Sequence, residues 1–133
     1  RLNMFFYDPK LKKTLPYYDR FPLVLPLEKY SDGFLGINFH YLPIPLRMKL
    51  LDRVVDFSNN TKFDESTRLN VGYQKLKTIK LIKPTLKRYL AGKVKSRFRR
   101  VDADEFTVAT LLPVARFSKA SATTVYKDSR KML

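Results

Sequence analysis

The sequence predicts an α+β fold: a small antiparallel sheet or open barrel of about five strands with two or three packed helices. Three stretches carry that expectation. Leu23, Leu25 and Leu27 alternate, Leu35, Ile37, Phe39 and Tyr41 alternate again, and Asp32-Gly33 lies between the two runs. Asp-Gly in that position signals a hairpin, because its turn needs positive φ. Leu46, Leu50, Val54 and Phe57, joined by Leu51 and Val55, recur at helical spacing. Val94, Ser96, Phe98 and Arg100 alternate with Lys95, Arg97 and Arg99, as on a strand with one half-apolar and one basic face.

The elements follow in order. Leu2–Tyr7 is apolar and aromatic, a short strand that Asp8-Pro9-Lys10 ends. Lys10–Arg20 reads as a loop. Tyr17 and Tyr18 in it either pack on the core or, with Pro22 and Pro43, form a contact surface for a protein partner. Pro22 and Pro26 remove ladder donors, so the first hairpin strand is an edge or an interrupted strand. His40 shares a face with Asn38, and no ligand cluster surrounds it in sequence. Pro45 suits a first helical turn. The helix after it carries Arg47, Lys49, Asp52, Arg53 and Asp56 on its remaining faces, and Ser58–Thr61 is a polar loop.

Leu69, Tyr73, Leu76, Ile79 and Ile82 predict a second helix, weakened by Gly72 and ended by Pro84. Thr85–Leu90 reads as one further helical turn. After the basic strand, Asp102–Glu105 makes an acidic turn, and Phe106–Leu112 is β-rich and is expected to pair back as a second hairpin. From Ser118 the composition turns helical, with Ser118 or Ser121 as N-cap and Lys127, Arg130 and Lys131 toward its C-terminus. The 133 residues are expected to form a single domain.

The formal net charge is +15. From Ser66 to Val101 there is no Asp or Glu, and twelve Lys and Arg side chains stand there, leaving a net charge of only three elsewhere. Such a block suits a polyanion or an acidic protein surface. Eleven of its side chains are the candidate nucleic-acid contacts: Lys75, Lys77, Lys80, Lys83, Lys87, Arg88, Lys93, Lys95, Arg97, Arg99 and Arg100. They would meet phosphates and release counterions without reading sequence. An aromatic content of 14% and an apolar content of 44% are too high for a disordered basic tail. They are also high for a ribosomal or other RNA-bound domain.

Other classes lose ground. With no cysteine there is no disulfide and no thiol chemistry, and one histidine gives little acid–base or metal capacity. Four glycines make no phosphate loop or dinucleotide fingerprint. Asp102, Asp104 and Glu105 are the one acidic cluster, where a turn would place Asp anyway. No enzyme activity, metal, cofactor or small-molecule substrate is expected. No stretch suits a membrane span, since the longest uncharged run, Gly33–Leu46, is short and carries Pro43 and Pro45. The chain begins on Arg1, which suggests a processed or cut chain, and Arg1–Tyr7 lacks the apolar core of a signal peptide.

The run LPYYDRFPLVLPLEKYSDGFLGINFHYLP resembles the N-terminal part of small virion proteins of T4-like tailed bacteriophages. KSRFRRVDADEF, LLPVARFSKAS and VYKDSRK resemble their C-terminal part. The resemblance runs from about Phe5 to Lys131, and the family is that of the DNA end protector, or head-completion, proteins. It implies a virion protein, assembled in the host cytoplasm, that binds double-stranded DNA and neighbours portal, neck or tail subunits. The alternative is a structural subunit of the neck, tail or baseplate that works through protein contacts.

Overall fold

The hairpin forms where the alternation places it. The computed structural model describes residues 2–58 and 80–133. Strand β3 (Leu23–Tyr30) returns as β4 (Gly33–Asn38) through the two residues Ser31 and Asp32. Around it lie β1 (Leu2–Met4), β5 (Leu86–Leu90) and β6 (Arg99–Val101), in the antiparallel order β5-β4-β3-β1-β6. A second sheet pairs β2 (Tyr18–Asp19) with β7 (Phe117–Ser118). Three α-helices stand among the described residues: α1 (Ile44–Ser58), α2 (Phe106–Leu111) and α3 (Ala122–Lys131). The chain is therefore α+β.

Gly33 plays a different part from the one its turn suggests. Among the described residues no glycine has positive φ, so the hairpin does not depend on a left-handed residue. A Cβ on Gly33 would run into the Tyr89 carbonyl oxygen of β5. The missing side chain lets β5 lie against β4, with Gly33 opposite Leu90 and Phe34 opposite Tyr89.

Each face of the sheet has its own core. Leu2, Leu23, Leu25, Leu27, Ile37 and Val101 pack with Leu50 and Leu51 of α1 and with Ile82. The other face gathers Phe5, Tyr7, Val24 and Tyr89, with Phe34 and Val94 against them. Aromatic edge-to-face contacts tie this second core together, with Phe5–Tyr89 at 5.4 Å and Tyr7–Tyr89 at 4.9 Å between centroids. Tyr7 also holds the two flanks of the sheet at one corner. Its backbone bridges Val94, and its hydroxyl accepts from the Leu90 amide at 2.8 Å.

Several expectations need correcting. β3 lies inside the sheet, so Pro26 does not make it an edge; it interrupts it, with a register shift between Pro26 and Glu28. The second hairpin strand stops at Asn38, and Phe39–Tyr41 is a 3-10 turn whose start the Asn38 side chain caps through the His40 amide. Leu86–Leu90 is a strand and not a helical turn, because Gly33 opens a place beside β4 for it. Phe106–Leu111 is a helix and not a strand, since Ala109 and Thr110 are buried and the element packs against α1. Tertiary contact overrides β-propensity there. The acidic run leads into that helix as a 3-10 turn, Ala103–Glu105. The helix expected over Leu69–Ile82 lies outside the described residues except for its end, where Lys80–Thr85 forms a 3-10 turn with Ile82 buried. The third helix starts after Ser121, whose hydroxyl accepts from the Thr124 amide.

Two buried polar groups join these parts. Arg47 has no exposed surface, against its expected place on a solvated helix face. Its guanidinium donates to the carbonyls of Leu42 (2.7 Å), His40 (3.2 Å) and Thr110 (3.2 Å) and to the Tyr126 hydroxyl (2.8 Å). One side chain of α1 thus anchors α2, α3 and the turn before α1. Asp19 accepts from the His40 ring at 2.7 Å, from Asn38 at 3.0 Å and from the amides of Phe21 and Arg116. Burial opposes its charge, but these donors prevail and hold its carboxyl below the usual range. His40 is a core residue, joined through Nδ1 to Asp19.

Candidate nucleic-acid interface

The described part of the basic block runs from Lys80 to Val101 and crosses the molecule. Lys80 and Lys83 are exposed on the turn beside the helix-covered core. Lys87 and Arg88 lie on β5, one outer strand of the sheet, and Arg99 and Arg100 lie on β6, the other. Between them Lys93–Ser96 runs beside the continuation of β1. Asp8 donates its amide to the Lys93 carbonyl, and the Lys95 amide donates to Phe6. Arg68, Lys75 and Lys77 lie outside the described residues.

Ser96 breaks the regular ladder. Its hydroxyl, in place of a backbone carbonyl, accepts from the Phe6 amide at 2.8 Å. The stretch from Ser96 to Phe98 therefore leaves the strand before β6 resumes at Arg99. Phe98 turns to the aromatic core, 4.9 Å from the Phe5 centroid and 5.9 Å from that of Phe34, yet stays 51% exposed. Arg97, Arg99 and Arg100 are exposed beside it and form no ion pair among the described residues.

Four of the other cations have protein neighbours. Arg88 meets Asp32 at 2.6 Å, with both side chains more than half exposed, and lies 4.4 Å from the Tyr30 ring centroid. Such a surface pair adds little stability. Lys87 is half-buried with Nζ 4.0 Å from the Tyr41 ring centroid, and burial pushes its amine down. Lys93 and Lys95 lie near Asp8, whose carboxyl is held below its usual range first by its hydrogen bond with Lys12 and then by these lysines. In the described part of the block, the exposed cations that form no ion pair and have no carboxylate neighbour named above are Lys80, Lys83, Arg97, Arg99 and Arg100.

The residues proposed for a protein contact sit differently. Pro22 and Pro43 are buried in the chain's own interior. Tyr17 and Tyr18 are half-buried, and the Tyr17 hydroxyl donates to Asp128 at 3.2 Å. Among the described residues no group of three His, Cys, Asp or Glu side chains could hold a metal ion. Nor is any helix among them long and apolar enough to cross a membrane.

Residues 1–130 match the family model described as phage T4 terminal DNA protecting protein. The chain belongs to that family. No curated protein and no solved structure matches it. As a member of the terminal DNA protecting family it is a bacteriophage protein, and its fold is the α+β arrangement above.

In this member of the family, sequence reasoning missed a groove next to the basic stretch. The groove encloses about 750 Å³ between the β3–β4 hairpin and Phe98, with Pro26, Leu27, Phe34 and Val94 in its wall. The available signal was Phe98 itself. An aromatic residue at the centre of Lys-Ser-Arg-Phe-Arg-Arg packs poorly in a core with charged neighbours on both sides.

Proposed function

We propose that this chain is a non-enzymatic virion protein that binds duplex DNA without sequence preference and shields the ends of the packaged genome. The observation that carries this reading is the exposed group Arg97, Arg99 and Arg100, of which Arg99 and Arg100 stand on backbone paired to β1, with no ion pair among the described residues. Ordered cations of this kind attract phosphates through counterion release. The family description, terminal DNA protecting protein, supplies the end. Virion placement next to portal, neck or tail subunits, and assembly in the host cytoplasm, belong to the same reading. Of the eleven basic side chains, Lys95, Arg97, Arg99 and Arg100 lead. Lys80, Lys83 and Lys93 are secondary, and Lys87 and Arg88 are engaged with Tyr41 and Asp32.

The test titrates linear duplex DNA at several salt concentrations. Affinity is expected to fall steeply with salt. Changing Lys95, Arg97 and Arg99 together to Glu should flatten the slope of log affinity against log salt by about 2.7, at roughly 0.9 per phosphate contact. The loss should be equal across DNA sequences. A flat salt response of the unmodified protein, or no binding at low salt, overturns the reading.

A neck, tail or baseplate subunit is the second reading. It finds support in α2, where Val108 is 60% exposed and Leu111 40% exposed. A neighbouring subunit covering that helix would mark it.

A further inference from the structure

A protein that protects DNA ends must distinguish an end from the rest of the duplex, and phosphates alone do not make that distinction. Only the last base has a face that no neighbour covers. We propose that the groove between the β3–β4 hairpin and Phe98 receives that terminal nucleobase, with Phe98 as its stacking partner. This rests on the DNA-binding reading above and adds to it the means by which an end is recognised.

Five observations meet there. Phe98 is 51% exposed although it is large and aromatic. Its ring is held in place by edge contacts to Phe5 at 4.9 Å and Phe34 at 5.9 Å, so little conformational freedom is lost when a base stacks on it. The groove beside it is apolar along Pro26, Leu27, Phe34 and Val94, and about 750 Å³ lies within the range of clefts that take small planar ligands. The chain neighbours Arg97 and Arg99 are exposed cations without an ion pair among the described residues. Arg100 shares the sheet face of Asn3, its ladder partner, and Asn3 lines the groove.

The charge pattern decides which part of a nucleotide enters. The lining holds one carboxylate, Glu28, which accepts from the Tyr30 hydroxyl at 3.0 Å, and one amine, Lys29, so it carries no net charge. A phosphate placed inside would lose its water with no net positive charge to replace it. A neutral base avoids that cost, and its phosphate would stay outside on Arg100, which shares the sheet face of the groove. Stacking on an aromatic ring tolerates any base, so an end of any sequence fits. A base pair within the duplex is stacked on both sides and presents no face to Phe98.

The experiment uses the full chain and short duplexes that carry 2-aminopurine, a base whose fluorescence reports stacking, at the terminal or at a central position. A covalently closed duplex of equal length, with no end, is the competitor. Terminal 2-aminopurine fluorescence should change on binding while the central probe stays constant. Linear duplex should be preferred to closed duplex. Phe98→Leu keeps apolar bulk and removes the ring. It should lower that preference by about 5- to 150-fold, the span of alanine-substitution effects for base stacking, and leave the salt slope unchanged. Phe98→Trp should restore the preference, which separates stacking from a general packing defect. DNA binding in which the terminal probe is silent, or in which Phe98→Leu keeps the full end preference, overturns this inference and leaves the DNA reading standing. If the unmodified protein binds neither duplex at low salt, the DNA reading fails and this inference fails with it.

Discussion

Replacing Arg47 tests whether the buried guanidinium organises the helical side of the molecule. The substitution is Arg47→Met, which keeps the side-chain length and removes the donors. Four contacts of 3.2 Å or shorter are lost: to Leu42, His40, Thr110 and Tyr126. The Leu112 carbonyl, at 3.5 Å, is too distant to count for much. Hydrogen bonds from a charged donor contribute about 1.5–3 kcal/mol each, so the low end gives about 6 kcal/mol for four. Against this, methionine removes the desolvation cost of a buried ion, which is several kcal/mol. The net expectation is a loss of about 3 kcal/mol, or roughly 10 °C in Tm for a domain of this size. Urea and thermal unfolding followed by circular dichroism would measure it. Arg47→Lys is the informative companion. It keeps a buried charge but cannot serve four acceptors on separate segments, so it should be at least as damaging as methionine. A methionine variant within about 0.5 kcal/mol of the parent, the spread of ordinary surface changes, would refute the role given to Arg47. So would rescue by lysine.

Further expectations follow from the same contacts. Asp19 has a folded-state pKa below its unfolded value of about 3.9. Its contribution to stability is therefore complete above that value and lost as pH falls through the lower, folded one. Unfolding midpoints should drop in acid, and Asp19→Asn should flatten that drop; equal acid slopes for the two proteins would count against the buried network. Gly33→Ala should cost about 1–3 kcal/mol or more by forcing β5 away from β4, visible as faster amide exchange at Tyr89 and Leu90. Gly92→Ala meets nothing within 4 Å and should be neutral or gain about 0.4–1 kcal/mol. Ser96→Ala removes the acceptor of the Phe6 amide and should cost about 0.5–1.5 kcal/mol in chemical denaturation.

The parts of the fold legible in the sequence are those specified by local pattern. The β3–β4 alternation, Pro45 in the first turn of α1 and the Ser121 cap all sit where residue chemistry puts them. The misread parts depend on contacts distant in the chain. Phe106–Leu111 has β-rich composition but folds as a helix because it can bury Ala109 and Thr110 against α1. Leu86–Leu90 becomes a strand because Gly33, more than fifty residues earlier, leaves room for it. Arg47 was detectable, since it precedes Leu50 and Leu51 by three and four residues and so lies on the apolar stripe of α1. Its charge points to the surface, while its spacing points to the core. In the candidate site, the charge was plain in the sequence but its distribution was not. The sheet order sends Lys87 and Arg88 to one flank and Arg99 and Arg100 to the other. The hairpin side of the groove comes from residues far from the basic block in sequence, so no local pattern could reveal it.

The sheet order has one more effect. Outer strands present unpaired N–H and C=O groups, and copies of a protein can polymerise by adding strand to strand along them. Among the described residues both outer strands of the five-stranded sheet come from the cationic segment, and each carries two adjacent cations, Lys87-Arg88 and Arg99-Arg100. Two copies approaching edge to edge bring like charges together. The side chains suited to attract a polyanion therefore also discourage aggregation, and a polyanion bound along either edge would remove that repulsion.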